Sequence, residues 1–305
     1  MRFTNAGNAH PDHFLVRLSE LALDSPVELV NDRARNVDIQ FSSVQVPPWK
    51  RLAAMAQNGL ERRLRSRVRI RDSREEAHNP RPQGNARKHI WFTGENVRPP
   101  ASDWDGYFSF DLDPMGGRNI YLPLWWHHVG LVPAAKSPFT TADTSIQSLM
   151  STRDLPEPPG FVCAFISNPH PQRLRAVQLL ERHGRVDVYG PWSGRRAPDK
   201  ASVASKYKFV LAFENDLYPG YVTEKPIEAW ASGSVPLWWG MDPGGYLNPE
   251  AMINAADHED LESFALRVAS IAADSRAWAE LAAKPLLLRR PDLEPAMAML
   301  RSGVN

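Results

Sequence analysis

Residues 207–240, YKFVLAFENDLYPGYVTEKPIEAWASGSVPLWWG, decide the fold of this chain. The first seven are continuously apolar apart from Lys208 and predict a buried strand. After a polar loop, a helix is expected from about Glu224, because Pro226 suits a first turn and Gly233 supplies a stop. SVPLWWG then predicts another strand. The order strand, loop, helix, strand is typical of an α/β protein with parallel sheets.

The same alternation continues on both sides of this stretch. FVCAFIS (161–167) and RVDVYG (185–190) predict strands, with a helix between them from Pro171 to about His183. Near the start of the chain, apolar residues at helical spacing around Phe14 predict a further helix. Other strands are predicted at 27–30, 37–44, 89–94 and 107–112, and an edge strand or a loop at 120–126.

Composition divides the chain and excludes several classes of protein. A stretch rich in Ser, Thr and Pro at about 134–160 predicts a linker, giving domains at 1–150 and 160–285 and a tail at 286–305 that is expected to pack back on the first domain.

Thirty-six basic against 35 acidic residues leave a net charge of +1, which gives no general attraction to nucleic acid. One cysteine excludes an internal disulfide framework. No leader and no apolar run of about 18 residues is present, so a soluble, cytoplasmic protein is expected.

Polar side chains collect where two predicted strands end. One group comprises Glu214, Asn215, Tyr221, Glu224 and Lys225, and the other comprises Ser167, Asn168, Arg173 and Arg175. Ligands of open parallel sheets bind beyond the carboxyl ends of the strands, so these groups predict a binding site. No glycine-rich phosphate motif is present, and a bound diphosphate would therefore need cationic side chains beside a helix N-terminus. Lys225 and Glu224 fit such a role, although an ordinary polar helix start explains their spacing as well.

Two further carboxylate sites are weaker candidates. Glu95 follows a glycine at the end of a predicted strand, where a carboxylate can act as a general base, although a turn glutamate facing water fits the same pattern. Asp111 and Asp113 form a D-x-D pair that could bind a divalent cation if both lie on one side of an alternating strand. The segment 61–88 carries nine arginines but no aromatic residue, so a solvated helix and a mobile loop are expected there rather than a nucleic-acid site.

Several of these segments resemble the bacterial α1,3-fucosyltransferases. Residues 207–240 are similar to the signature that runs Y-K-F-x-L-A-F-E-N, then Y-x-T-E-K, then a proline and a glycine. IWFTGENVRPP (90–100) is similar to an F-x-T-G-E-N-V-x-P segment of that family, and residues 165–190 are similar to its S-N…R…V-D-x-x-G stretch. The resemblance covers about residues 27–290.

The resemblance implies a GT-B architecture, in which two Rossmann-like domains with parallel sheets face a cleft. It also implies that GDP-fucose is the donor, bound mainly by the second domain, and that fucose moves by an inverting single displacement without a required metal, which would stimulate at most. Glu95 matches the family's base. The donor-binding positions are matched by Arg175 or Arg173, Asn215, Tyr221, Glu224 and Lys225. Tyr121 replaces an arginine that many members carry.

The predicted function is transfer of L-fucose to a GlcNAc-containing oligosaccharide or glycolipid, α1,3-linked on N-acetyllactosamine as in Lewis X antigens or lipopolysaccharide. A GT-B transferase with another donor or acceptor, or a non-catalytic glycan-binding module that uses the Trp residues, remains as an alternative. A monomer or weak oligomer with at most transient membrane contact is expected, because the chain ends without the heptad repeats and basic tail of some members.

Overall fold

Two parallel β-sheets, one in each half of the chain, form the framework of the protein. The computed structural model describes residues 2–5, 14–25, 27–30, 37–43, 86–93, 96–100, 104–132 and 140–302.

The first sheet has six strands in the order β2-β1-β3-β4-β5-β6, all parallel. Its strands are β1 (Arg2–Asn5), β2 (Glu28–Val30), β3 (Ile39–Ser43), β4 (Lys88–Phe92), β5 (Gly106–Ser109) and β6 (Asn119–Tyr121). Helix α1 (Phe14–Leu23) buries its apolar stripe against this sheet, while Leu21 in that helix stays exposed. The edge strand β6 stops before Pro123, which lacks the N–H that a ladder requires.

The second sheet has five parallel strands in the order β11-β10-β9-β7-β8. Its strands are β7 (Gly160–Phe165), β8 (Val186–Tyr189), β9 (Tyr207–Phe213), β10 (Val235–Trp239) and β11 (Ile253–Asn254). The remaining helices are α2 (Ile146–Leu149), α3 (Pro171–Leu180), α4 (Lys200–Ala204), α5 (Lys225–Ala231), α6 (Leu261–Ala273), α7 (Ser275–Ala283) and α8 (Glu294–Arg301). One face of this sheet buries its apolar side chains with those of α3, α6 and α7, and the other packs on α4 and α5.

A single apolar core continues from the first sheet into the second half of the chain. It joins residues of α1 and β4 to Trp125, to Ile227 and Trp230 of α5, and to Leu286. Helix α8 also belongs to this core, because Leu300 is buried and α8 contacts α1. Lys88 at the start of β4 donates to the carbonyl oxygens of Met299 and Ser302, which caps the end of α8.

The stretch predicted as a linker is a packed segment over its described part. Leu149 at the end of α2 is fully buried, and its carbonyl accepts a hydrogen bond from the backbone of Leu287 at 3.0 Å. The Arg153 guanidinium donates to the carbonyls of Ala282, Trp230 and Ser234. The segment predicted as a linker is therefore held in place by backbone carbonyls and an arginine, contacts that its composition does not indicate. No described helix is long and apolar enough to cross a bilayer.

Asp187 on β8 carries a polar cluster at the outer edge of the second sheet. Its carboxylate accepts hydrogen bonds from Arg195 at 2.7 Å, from Arg185 at 2.9 Å and from the Tyr207 hydroxyl at 2.9 Å. Burial raises the pKa of Asp187, but the hydrogen bonds from Arg195, Arg185 and Tyr207 outweigh it and hold the pKa at about 2. The same burial raises the pKa of the neighbouring Cys163 thiol, which is therefore an inert core group.

We expect Asp187→Asn to lower the free energy of unfolding by about 1–2 kcal/mol at pH 7, because a pKa lowered in the folded state stabilises it above the unfolded pKa. This difference should shrink as the pH falls from about 4 toward 2, where the native carboxylate is protonated as well. Urea unfolding between pH 7 and pH 3 measures it. Glu181→Gln, a change at an exposed carboxylate, is the control with no expected effect. A difference that stayed constant down to pH 3 would contradict the interpretation.

Candidate functional site

A cavity of about 300 Å³ lies at the carboxyl end of the second sheet. It opens between β7 and β9, where the strand order reverses and where ligands of such sheets bind. Residues that follow the two strands line it together with α4 and α5, and include Ser167, Asn168, Arg173, Asn215, Glu224 and Lys225.

Arg173 extends from the first turn of α3 into this cavity. Pro171 begins the helix, so the guanidinium points back over the ends of β7 and β9. Its nitrogens donate to the Phe213 carbonyl at 2.7 and 3.2 Å, to the Asn168 carbonyl at 3.3 Å and to the Asn215 amide oxygen at 2.7 Å. Only 7% of the residue is exposed. All of these partners are neutral oxygens, and no carboxylate of the described residues forms an ion pair with Arg173.

This buried charge is incompletely compensated. Burial lowers the pKa of the Arg173 guanidinium, although the charges of Glu214, Tyr221 and Glu224 oppose the shift from a distance. A buried cation whose contacts are all neutral is costly unless an anion joins it. The geometry therefore favours an anionic ligand in the cavity.

A second cation, Lys225, is held at the N-terminus of α5 by a buried carboxylate. Glu214 is fully buried and accepts from the Thr223 backbone at 2.9 Å, from the Thr223 hydroxyl at 2.6 Å and from the Trp238 indole at 3.3 Å. The Lys225 ammonium lies 3.2 Å from Glu214 and 2.8 Å from the Thr223 hydroxyl. Glu214 thus closes the loop between β9 and α5 and orients the ammonium at the same time.

Glu224 adds a carboxylate to the opposite wall of the cavity. Burial raises the pKa of Glu224, but the pKa still lies below its ordinary value. The lowering comes from the positive charge of Lys225, whose ammonium is 3.9 Å away, and from His128 and Lys200. His128 comes from the first half of the chain, and its own pKa is lowered by burial against the opposing charge of Glu224. An ionised carboxylate is therefore available to accept hydrogen bonds from vicinal hydroxyls.

The loop from Asn215 to Tyr221 joins the cavity to the first half of the chain. Its ends meet where the Asn215 amide donates to the Tyr221 hydroxyl at 3.4 Å. Gly220, at φ +88°, passes so close to the first half that a Cβ would lie 2.2 Å from the Phe110 carbonyl oxygen. Only glycine fits there, because both the backbone conformation and the space exclude a side chain.

The structure brings together five of the predicted site residues and separates one, Arg175, from them. Arg173, Asn215, Tyr221, Glu224 and Lys225 surround one another, as the contacts above describe. Arg175 points elsewhere: it is half exposed, lies 3.5 Å from Glu262 and lines a different cavity of about 480 Å³. Glu95 lies outside the described residues, as does nearly all of the arginine-rich segment 61–88.

The D-x-D pair does not lie on a strand. β5 ends at Ser109, so the prediction of a strand through residue 112 was wrong: the chain turns where Asp111 accepts from the Asp113 backbone at 3.1 Å and Asp113 accepts from the Met115 backbone at 2.8 Å. These local hydrogen bonds compete with the sheet ladder. Among the described residues, no group of three or more His, Cys, Asp or Glu side chains is arranged to hold a metal ion.

Comparison with known proteins agrees with this geometry. Residues 156–282, which contain the whole cavity, match the family described as glycosyltransferase family 10 (fucosyltransferase), C-terminal part. Over 203 residues the chain is 32% identical to the human 4-galactosyl-N-acetylglucosaminide 3-alpha-L-fucosyltransferase FUT6, and equally so to the human 3-galactosyl-N-acetylglucosaminide 4-alpha-L-fucosyltransferase FUT3. The matched part is 61% of this chain and 50% of each relative, so the chain spans about half the length of the curated relatives it matches.

Residues 156–282 thus carry the C-terminal part of glycosyltransferase family 10.

Solved structures support the fold over the whole chain. An α1,3-fucosyltransferase crystallised with GDP-fucose superposes with a TM-score of 0.68 at 18% identity, covering 100% of this chain and 90% of that one. The same protein type with GDP gives the same TM-score. The two parallel sheets that face a cleft are the GT-B architecture that the resemblance implied.

Two contributors to the site received no individual role from the sequence, although Glu214 stood in one of the predicted polar groups. Glu214 orients Lys225, and His128 approaches Glu224 from the other side of the cleft. A fully apolar strand that ends in a glutamate is a signal for Glu214, because a carboxylate that directly follows a buried strand needs partners. His128 has no comparable signal, since its proximity to Glu224 arises only from the packing of the two halves.

We expect Glu214→Gln to lower the free energy of unfolding by about 3 kcal/mol, because both carboxylate oxygens accept hydrogen bonds and the NH2 end of a glutamine amide would face donors without being able to accept. Urea titration measures the loss. Glu262→Gln removes a half-exposed carboxylate and its surface ion pairs, and should cost under about 1 kcal/mol. Equal effects of the two substitutions would refute the role assigned to Glu214.

Proposed function

We propose that the chain is an inverting fucosyltransferase that moves L-fucose from GDP-β-L-fucose to a hydroxyl of a GlcNAc-containing glycan. The observation that carries this proposal is the pairing of two cations at one cavity: Arg173, buried among neutral oxygens, and Lys225 at the start of α5. The family match and the likeness to α1,3-fucosyltransferases support fucose as the sugar. The α1,3 linkage on N-acetyllactosamine follows the acceptor named for FUT6.

Arg173 and Lys225 are proposed to hold the two phosphates of the donor. The N-terminus of α5 adds the positive end of a helix dipole. Glu224 accepts the ribose hydroxyls, and Asn215 and Tyr221 fix the side of the donor that faces the cleft. As the bond from the sugar to the phosphate breaks, negative charge grows on GDP, and cations already in place stabilise it without reorganisation.

Glu95 is proposed as the general base. It removes the proton of the acceptor hydroxyl as that oxygen bonds to the anomeric carbon of fucose, and GDP leaves from the opposite face. One displacement turns the β-linked donor into an α-linked product. The fixed cations supply the charge stabilisation that a divalent metal gives in other transferases, so no metal is required in this scheme.

Its setting is proposed to be the cytoplasm, where the enzyme acts as a monomer or weak oligomer and meets glycolipid acceptors at most transiently. The two cations at a diphosphate-sized cavity favour a transferase over a lectin-like module, because a module that only binds glycans does not need them. A transferase for a different nucleotide sugar would use the same cations, and donor competition separates it from the proposal.

Calorimetry with GDP tests the phosphate contact. Arg173→Gln should weaken GDP binding by about 10- to 100-fold, because a charge-assisted hydrogen bond contributes about 1.5–3 kcal/mol. Arg175→Gln is the matched control two residues away on the same helix, and should stay within about twofold of the wild type. The assignment fails if Arg175→Gln weakens GDP binding and Arg173→Gln does not.

Glu95→Ala tests the base and, with it, the reaction. It should reduce fucose transfer from GDP-fucose to N-acetyllactosamine by about 100- to 10 000-fold and leave GDP affinity unchanged, because general base catalysis contributes to the chemical step and not to nucleotide binding. Transfer is followed by product formation and affinity by calorimetry. Loss of both together would show that Glu95 supports the fold or the donor site and is not the base.

A further inference from the structure

A group of polar contacts crosses the cleft beside the donor cavity without belonging to it. Asn96 of the first half donates its amide N–H to the Asp216 carboxylate at 2.7 Å. Arg98 donates to the other end of that amide, the Asn96 oxygen, at 3.1 Å. The Arg98 guanidinium also lies flat against the ring of Tyr218 from the second half. We call Asn96, Arg98, Asp216 and Tyr218 the cross-cleft clamp.

The first-half side of the clamp is anchored in that half, and Tyr218 of the second half makes further contacts across the cleft. Val97, between the two clamp residues of the first half, packs on the cluster formed by Trp91, Trp104 and Tyr107. Alternation along an extended segment thus sends one side chain inward and two across the cleft.

On the other side, the Tyr218 hydroxyl donates to the Asp111 carboxylate at 3.2 Å. The Tyr218 ring also meets Phe110 edge-on, with 5.8 Å between centroids. Burial lowers the pKa of Arg98, and the charges of Asp111 and Asp216 oppose that shift.

The clamp is not needed to hold the two halves together. The apolar core already joins them through residues such as Trp125 and Trp230, and Tyr121 stacks on Tyr246 with ring centroids 6.4 Å apart. A polar joint gives little net adhesion, because each group gives up water to form it. Hydrogen bonds and cation–π contacts depend on angle, so they fix the relative orientation of the side chains more strictly than apolar packing does.

The clamp residues are chain neighbours of two residues with proposed roles in the reaction. On the second side, Asp216 is bonded directly to Asn215, which contacts Arg173 in the donor cavity at 2.7 Å. On the first side, Asn96 directly follows Glu95, the proposed base. The hydrogen bond from Asn96 to Asp216 therefore joins the direct chain neighbour of Glu95 to the direct chain neighbour of Asn215.

We propose that the Asn96–Asp216 hydrogen bond, held by Arg98 and Tyr218, is a positioning contact that sets the proposed base against the bound donor. This inference rests on the proposed function. None of its four residues lines the cavity assigned to the donor. They act through Glu95 and Asn215, and misplacement of a reacting group by about 1 Å is enough to slow a reaction about 100-fold.

A charge-neutral exchange of the two partners tests the proposal. Asn96→Asp places two carboxylates against each other and should break the contact. In the double variant Asn96→Asp/Asp216→Asn, the amide and the carboxylate have changed places, so the hydrogen bond re-forms with its donor on the other side and Arg98 still has an acceptor. Gln178→Glu, which adds a negative charge at an exposed position of α3, is the control for the gain of one charge.

Asn96→Asp should lower kcat for fucose transfer by about 10- to 100-fold, while the Kd for GDP stays within about twofold and amide hydrogen exchange in residues 96–98 accelerates. The double variant should regain kcat to within about threefold of the wild type and recover the slow exchange. A merely structural role would lower the melting temperature and GDP affinity along with kcat.

Unchanged kcat in Asn96→Asp, or a double variant that stays as slow as the single one, overturns the clamp. A wild-type protein that transfers no fucose contradicts the proposed function instead, so the two failures are distinguishable.

Discussion

The architecture of the site depends on one constraint, a guanidinium buried among neutral oxygens. Arg173 is fixed by the carbonyl at the end of β9, by the carbonyl of Asn168 and by the amide of Asn215, and none of these cancels its charge. Such an arrangement is stable only if hydrogen bonds replace the lost water and an anion can complete it. The cavity is accordingly built at the end of the sheet where a helix N-terminus and a second cation also point.

The loop between β9 and α5 connects Arg173 to the core and to the first half of the chain. Glu214 inside the core fixes Thr223 and Lys225, and Asn215 touches Arg173. Between them, Asp216, Tyr218 and Gly220 contact the first half of the chain. The eleven residues 214–224 therefore link a fully buried carboxylate, the cavity and the opposite wall of the cleft.

Much of this could be read from the sequence, for identifiable reasons. Tyr207–Phe213 was predicted to the residue, because a continuous apolar run with a charged residue after it has only one reading as a strand. The prediction that Asn215, Tyr221, Glu224 and Lys225 lie near the end of that strand agrees with the structure, since parallel strands bring their carboxyl ends to one edge.

Other features could not be read from it. Arg173 and Arg175 were equivalent candidates, but two positions on a helix differ by about 200° in direction, so only one enters the cavity. Asp111 and Asp113 look strand-like in pattern, while the turn that their own carboxylates stabilise ends β5 earlier. The contacts of Asn96 with Asp216 and of Glu224 with His128 depend on how the halves meet, which no local pattern records.

The measurement that tests the account most directly is incubation of the purified protein with GDP-fucose and N-acetyllactosamine, with and without a chelator, followed by NMR of the product. The proposed inverting transfer predicts an α-linked fucose at O3 of GlcNAc, formed at the same rate when divalent metal is removed. A β-linked product, or transfer that stops on chelation, would contradict the single displacement supported by Arg173 and Lys225.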